Sequence, residues 1–225
     1  MTGRHTKDSQ ETKFLLEKYA PVSNTEDEQI IEVLDSLTLH TKMPGQSTAV
    51  FLNDVARAIY KAFGFKEVSI GAKDREGIFK CVAMVGFRDE VKTSRQKLSY
   101  TLAEMMDARA YPSTRVNKIV EIHLIDDMPL KEGGGDMYNR PSLIGKERPS
   151  PDSMVEGDYI EFSVLGPSDE LLGWIEMSGP RDGKFPSRST IKWLEFISTI
   201  TAACLKLKEP TKERHAADTS VHVET

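Results

Sequence analysis

Apolar residues in two parts of the chain recur at the three- and four-residue spacing that is typical of one face of a helix. They predict a helix over Glu26–Leu39, and a second one that begins after Ser47 and ends before Gly64. The buried face of the second helix is predicted to consist of Leu52, Val55, Ala56, Ile59 and Phe63. A final, longer helix is predicted from Ser187 to about Leu207, and it is apolar on more than one side.

Between these helices the pattern changes to alternation and short apolar runs, which are typical of strands. The alternation predicts that the first strand is half-buried, and the nearly continuous apolar run of the second predicts a central position covered on both faces. Short polar connections predict that the first two strands, and the last two, form hairpins. A short helix is predicted at Leu98–Asp107. The predicted strands are Glu67–Ala72, Ile78–Gly86, Ile119–Ile125, Tyr159–Leu165 and Leu171–Ser178.

This order of elements divides the chain into segments. Residues 1–13 and 209–225 are charged and aperiodic, so we expect a disordered arm and a disordered tail. Residues 14–46 form an N-terminal helical segment, and residues 47–208 form the main domain. Residues 126–157 carry glycines, prolines and many charges, which predicts a long loop over the domain. Helices at the ends and strands in the middle indicate an α+β fold with the helices on one face of the sheet.

Composition narrows the class of protein. The 225 residues carry 30 basic and 35 acidic side chains, a net charge of −5, and no basic face stands out that would bind nucleic acid. No apolar run is long enough to span a membrane, and the polar N-terminus has no secretory signal. Two isolated cysteines form neither a disulfide framework nor a metal-binding doublet. We therefore expect a cytoplasmic protein without a metal site.

Several motifs resemble the GAF domain family. The C-terminal half of a GAF domain is similar to the strand pair of this chain, the Pro-Asp-Gly-Pro-Ser loop that follows it and the last helix. Weaker similarities to the first half of that family cover residues 52–70 and 100–122. The motifs are Asp158-Tyr159-Ile160, Leu172-Gly173-Trp174-Ile175, residues 179–187 (GPRDGKFPS) and Leu194-Glu195-Phe196.

The resemblance implies a fold and a role. It implies an antiparallel sheet of about five to six strands, with N- and C-terminal helices on one face and a cavity under loops and short helices on the other. It also implies a non-catalytic sensory domain that binds a small molecule or cofactor, forms a homodimer through its terminal helices, and signals through a partner protein in trans. The alternative is a dimerising interaction module that binds no ligand.

Candidate ligand-binding residues follow from the same resemblance and from strand periodicity. His123 lies on the strand face opposite Val120 and Ile122, together with Glu121. It is either a ligand contact, a haem ligand, a proton-responsive group or an ordinary strand histidine. The resemblance to GAF domains implies further candidates for contact with a ligand, which are Cys81, Tyr100, Met105, Arg115 and Trp174.

Two cysteines leave a further alternative open. Cys81 is either a redox or chromophore-binding thiol or a small buried side chain, and Cys204 in the last helix is expected in the core or at a dimer seam. The least favoured function is thus a haem-type or thiol sensor that uses Cys81 and His123. GAF-fold enzymes that reduce methionine sulfoxide require a cluster of cysteines that this chain lacks, and no catalytic set emerges at a meaningful spacing.

Overall fold

The computed structural model describes residues 26–39, 46–128 and 134–208. The predicted arm (1–13) and tail (209–225) lie outside the described residues. None of the helices in the described ranges has the length and apolar character that a bilayer span requires.

Five helices and seven strands make up the described fold. The helices are α1 (Glu26–Leu39), α2 (Thr48–Ala62), α3 (Asp89–Gln96), α4 (Leu102–Met105) and α5 (Arg188–Lys208). The strands are β1 (Phe65–Lys73), β2 (Phe79–Val85), β3 (Ser99–Tyr100), β4 (Thr114–Arg115), β5 (Val120–His123), β6 (Tyr159–Leu165) and β7 (Leu171–Pro180).

All strands join one antiparallel sheet in the order β3-β2-β1-β7-β6-β5-β4. The three central strands β1, β7 and β6 bring residues near 70 next to residues near 175, and these next to residues near 160. The predicted antiparallel α+β sheet is confirmed, with seven strands because two pairs of residues at the edges form β3 and β4.

The helices α2 and α5 cover one face of this sheet, and α1 packs against both of these helices. Ser47 caps α2 by accepting a hydrogen bond from the backbone N–H of Val50, and Ser187 caps α5 through the N–H of Thr190, as predicted. Side chains of the three helices and of the alternate strand positions share one apolar core. That core includes Ile30, Leu34, Leu52, Val55, Val68, Ile70, Ile160, Phe162, Ile175, Met177, Leu194 and Ile197.

The opposite face of the sheet, here called the polar face, carries the remaining strand positions. It is covered by α3 and by the cover loop, which we define as residues 136–148, and α4 lies next to the edge strand β3. The long segment predicted at 126–157 contains three short 3-10 turns within its described part, at Ile125–Asp127, Gly134–Met137 and Pro141–Leu143. It is therefore an ordered cover where the structure describes it.

Two predictions about these strands are wrong, the half-burial of β1 and the central position of β2. β1 is buried on both faces, because Glu67 and Ser69 lie under the cover of the polar face. β2 is not central, because only the short strand β3 lies between it and the edge of the sheet. α2 covers one of its faces and α3 the other, as predicted, although several of its side chains are half-buried.

The short helix predicted at Leu98–Asp107 is reduced to the single turn α4, because Ser99–Tyr100 pair with β2 as a strand. Thr101 and Glu104 form a reciprocal capping box that begins this turn. The helix α3 was not predicted from the pattern. Val91 is its only buried residue, so α3 has no apolar stripe to reveal it.

Candidate functional site

One row of residues crosses the polar face in register. Arg115 of β4 lies opposite Glu121 of β5, and Glu121 lies opposite Glu161 of β6. Glu161 lies opposite Glu176 of β7, and Glu176 lies opposite Ser69 of β1. Cα atoms of such partners are about 4.5–5.5 Å apart, so three carboxylates stand side by side on adjacent strands.

The two outer carboxylates of this row have arginine partners. Arg95 of α3 donates from Nη1 to Oε1 of Glu176 at 2.7 Å, and both side chains are largely buried, at 19% and 12% exposed. Arg115 donates from Nε to Oε1 of Glu121 at 2.8 Å, and Ser113 donates to the other oxygen at 2.7 Å. Burial raises the pKa of Glu121, but these hydrogen bonds outweigh it, so that its pKa is lowered.

The middle carboxylate has no arginine. Within the described residues, Glu161 has neither an ion pair nor a side-chain hydrogen bond, although its neighbours on both sides are acidic. Burial, with the charges of Glu176 and Glu121, raises the pKa of Glu161 to about 8 from its ordinary 4.5. Glu161 is therefore mostly protonated at neutral pH.

His123 lies beside this row with one ring nitrogen unsatisfied. It is 3% exposed, and its ring stacks on that of Tyr159 with centroids 4.3 Å apart. Its Nδ1 is 3.0 Å from the carbonyl oxygen of Pro112, and a carbonyl only accepts, so Nδ1 carries the proton. Nε2 is then a buried acceptor without a partner in the described residues. Burial lowers the pKa of His123, which keeps the ring neutral.

A second unsatisfied polar atom lies at the other end of the row. Ser69 is 1% exposed, and its Oγ has no hydrogen-bond partner in the part of the chain that the structure describes. Buried polar atoms of folded proteins almost always have a partner, so each exception calls for an explanation. Two such atoms at the two ends of the carboxylate row indicate a place where a ligand completes the hydrogen bonds.

Aromatic side chains border the row along the strand direction. Trp174 precedes Glu176 by two residues in β7, and its indole lies over Gly71 of β1, where any Cβ would overlap the ring. Tyr100 contacts Trp174 edge-on with ring centroids 6.3 Å apart, and it contacts Tyr111 in the same way at 6.3 Å. Because β6 and β7 are antiparallel, Trp174 and Tyr159 lie on opposite sides of the pair Glu161–Glu176.

The cover loop is fastened to its surroundings by arginines. Arg95 donates from Nε to the carbonyl of Met137 at 3.4 Å, in addition to its ion pair on the sheet. Arg140 donates from Nε to Glu156 at 2.8 Å, and its backbone N–H donates to the same carboxylate. These contacts hold the middle of the cover loop over the polar face.

A buried carboxylate anchors the end of the cover loop. Asp158 is fully buried and accepts from the backbone N–H groups of Ile125 and Val155. Arg148 donates to both of its oxygens, at 2.6 and 3.1 Å, and also to the exposed Asp126 at 3.0 Å. Asp158 thus joins the start of β6 to the two ends of the loop that precedes it.

The six residues singled out from the sequence do not all meet. Tyr100 and Trp174 are in contact, and Arg115 and His123 border Glu121. Met105 lies half-buried in α4, with no described contact to the others.

Both cysteines lie in environments that suppress thiol chemistry. Cys81 lies on β2 opposite Gly71, with its Sγ 3.9 Å from the carbonyl oxygen of Ile70. Burial, and then the charge of Glu176, raises the pKa of its thiol to about 12. Cys204 is buried in α5, within the helix-side core, so the two thiols lie in different layers.

The central residues of the site were not among the sequence candidates. Glu161 and Glu176 occupy polar positions of alternating strands, which usually face solvent, and Arg95 lies in the helix that carries no apolar stripe. One feature of the sequence could have pointed to them. Glu121 lies on the same face of β5 as His123, and the residues that pair with these two on β6 are also polar or aromatic, Glu161 and Tyr159.

A separate open groove runs between α1 and α2. Its walls carry charges of both signs, including Glu32, Arg57 and Lys61, over an apolar floor that includes Val33 and Leu37. Neither of the unpartnered buried atoms lies there. Among the described residues, no group of three or more His, Cys, Asp or Glu side chains is arranged to hold a metal ion.

Comparisons with known proteins agree with this architecture. No protein-family model matches the chain, and no curated protein matches its sequence. A solved GAF domain superposes with a TM-score of 0.52 at 11% identity, over 81% of this chain and 90% of that one. The GAF domain of A. aeolicus Nlh2 in an inactive state superposes with a TM-score of 0.51 at 12% identity, over 82% of this chain and all of that domain. The chain therefore has a GAF-like fold.

Proposed function

We propose that this chain is a non-catalytic sensory domain that binds a small molecule on the polar face and acts on a partner protein in trans. The observation that carries the proposal is the pair of buried, unpartnered polar atoms, His123 Nε2 and Ser69 Oγ, at the two ends of the carboxylate row. If this face of the sheet only packed against its cover, apolar side chains would be expected at these positions, since each buried polar atom without a hydrogen bond costs about 1–3 kcal/mol.

A sensory role is favoured over catalysis by the chemistry of the same residues. The thiol of Cys81 is held protonated, and the hydroxyl of Ser69 has no base within hydrogen-bond distance among the described residues. Nucleophilic catalysis requires such a base or a lowered pKa. A redox role for the Cys81 thiol therefore has less support than reversible binding.

The test is a search for bound mass and for stabilisation. Native mass spectrometry of the purified chain, compared with its denatured mass, should reveal a non-covalent ligand or leave an empty protein for titration. Fractions of a metabolite extract should then raise the melting temperature saturably, because a ligand that binds only the folded state stabilises it. Ser69→Ala should weaken that rise, whereas Ser189→Ala, at an exposed position of α5, should leave it unchanged. No mass and no shift with any fraction would contradict the proposal.

A second candidate, dimerisation through α5, rests on a separate observation. Phe196 and Leu207 are 50% and 69% exposed, and with Thr199 and Ala203 they form an exposed stripe with helical spacing. We propose that this stripe is the homodimer seam through which the domain signals. Sedimentation should show a dimer that the double variant Phe196→Glu/Leu207→Glu converts to a monomer. The matched control Leu102→Glu/Met106→Glu, at two exposed apolar positions outside α5, should leave the dimer intact. A monomeric wild-type protein would contradict this second proposal.

A further inference from the structure

The polar face has more carboxylates than positive partners. Its described acidic residues are Glu67, Glu121, Glu156, Glu161 and Glu176, and its guanidinium groups are Arg95, Arg115 and Arg140. The three arginines pair with Glu176, Glu121 and Glu156. Glu67 accepts a hydrogen bond from the Ser178 hydroxyl at 2.7 Å, and Glu161 is left without a partner.

An aromatic ring lies beside the unpaired carboxyl group. Tyr159 precedes Glu161 by two residues on the same strand and face, whereas the indole of Trp174 on β7 is turned over Gly71 of β1. The faces of aromatic rings carry negative charge density, which attracts ammonium and guanidinium groups. The Tyr159 ring and the excess carboxylate together favour a positively charged ligand.

The unsatisfied nitrogen of His123 adds a directional requirement. Since Nδ1 donates to Pro112, which precedes β4 at the edge of the sheet, Nε2 on the other side of the ring is directed away from that edge. As an acceptor it needs a ligand that donates a hydrogen bond. A protonated amine has such N–H groups, whereas a quaternary ammonium has none. A metal ion fits less well, because the described acidic and histidine side chains do not converge in a group of three.

We propose that the ligand of the polar face carries a protonated amine, with Glu161 as its counter-ion, His123 Nε2 as a hydrogen-bond acceptor, and Tyr159 as the neighbouring ring. The inference rests on the proposed function and names the chemical class of its ligand. It gives both the unpaired carboxyl group and the unpartnered nitrogen a role.

Binding of this kind is coupled to a proton. The Glu161 carboxyl is neutral at pH 7 in the free protein, and a nearby cation favours its charged form. The amine arrives already protonated, so the proton that Glu161 loses is released to solvent. At pH 7 and a pKa of about 8, close to one proton leaves for each ligand bound. Glu176 of β7 and Glu121 of β5 act directly on Glu161. The other charged and titratable groups on this part of the polar face are His123, Tyr159, Arg95, Arg115 and Tyr138.

Calorimetry with matched probes tests the inference. Methylammonium and n-butylammonium present N–H donors and a charge, n-butanol has the same chain without the charge, and tetramethylammonium has the charge without an N–H. We expect saturable binding of an alkylammonium, and affinity for n-butanol and for tetramethylammonium that is weaker by about ten-fold or more. Titrations in two buffers of different ionisation enthalpy at pH 7 should show release of close to one proton.

Variants assign the effect to Glu161. Glu161→Gln is isosteric with the protonated carboxyl group, so it should fold, lose about ten-fold in alkylammonium affinity and release no proton. Glu76→Gln, at an exposed position in the turn between β1 and β2, should behave as wild type.

The outcomes separate the two proposals. The amine inference is overturned if n-butanol binds as tightly as n-butylammonium, or if neither alkylammonium binds. It is also overturned if Glu161→Gln leaves the alkylammonium affinity unchanged. If native mass spectrometry finds a neutral or anionic ligand, the inference is also overturned, while the sensory proposal stands. If nothing binds in either experiment, both proposals fail.

Discussion

Trp174 of β7 lies across Gly71 of β1, and its indole ring fills the space that a side chain at position 71 would need. The Trp174 ring is 5% exposed and forms one wall of the candidate site. Gly71 leaves space for the ring, and Tyr100 contacts it edge-on. A glycine in the middle of a buried strand weakens the strand, and its presence here is explained by this close approach.

Gly71→Ala should therefore destabilise the protein by about 1–3 kcal/mol, because the new Cβ overlaps the Trp174 ring. In a Trp174→Leu background the smaller side chain leaves room, so the cost of Gly71→Ala should fall by half or more. Urea denaturation of the four proteins in this cycle provides the free energies of unfolding. Equal costs of Gly71→Ala in both backgrounds would show that the ring does not limit position 71.

Glu161→Gln should make the stability of the protein less dependent on pH. Between about pH 4.5 and 8 the folded state keeps a proton on Glu161 that the unfolded chain has lost, so the free energy of unfolding of the wild type falls as pH rises. The variant should match the wild type near pH 4.5 and have the higher melting temperature at pH 8.5. Thermal unfolding across this range provides the comparison.

The control for that experiment is Glu76→Gln, which should follow the wild type at each pH. The lowered pKa of His123 contributes the opposite slope, with stability lost as pH falls below 6.5, but His123 is present in all three proteins and its effect cancels. A Glu161→Gln curve parallel to the wild-type curve would mean that Glu161 titrates normally in the folded state.

Asp158 and Asp126 share Arg148 but should differ in their importance. Asp158→Ala leaves a guanidinium that is only 17% exposed without its buried partner and removes acceptors from two backbone N–H groups. We expect a loss of about 3–5 kcal/mol. Asp126 is 61% exposed, and Asp126→Ala should cost about 0–1 kcal/mol. Denaturant titration of both variants decides the matter, and equal losses would contradict the assignment of Asp158 as the anchor.

Both cysteines should resist alkylation in the folded protein. The thiolate is the reactive form, the pKa of Cys81 is raised to about 12, and Cys204 is buried in the core with its pKa also raised by burial. Iodoacetamide at pH 7.5, followed by intact-mass measurement, should label neither site within the time that fully labels free cysteine. Urea should expose both. Rapid labelling of Cys81 in the folded state would revive the thiol-sensor alternative.

Local pattern predicts most of this fold and misses its short elements. The helices α1, α2 and α5 and the strands β5, β6 and β7 each bury a regular set of apolar residues, so their spacing reveals them. The two-residue strands β3 and β4 are too short to show a period. Helix α3 is formed by acidic residues at its start and Arg95 near its end, which suit the helix dipole but leave no apolar stripe.

The candidate site is less predictable, because it depends on register between distant segments. Ser69 and Glu176 are in register only once β1 pairs with β7, and the contacts that set this pairing are non-local. The sequence alone places His123 with Glu121, one of the carboxylates in the row, and it identifies Trp174 and Arg115. It does not show that Glu161 stands between two acidic neighbours, which is the feature that sets its proton affinity.

The guanidinium of Arg95 binds two parts of the molecule at once, a carboxylate of β7 and the main chain at Met137. It also lies 4.9 Å above the ring of Phe87, which limits the directions in which it can turn. A change of charge at Glu176 therefore alters the restraint on a segment almost forty residues earlier in the chain. Binding of a ligand at the sheet and movement of the cover loop are therefore linked through the side chain of Arg95.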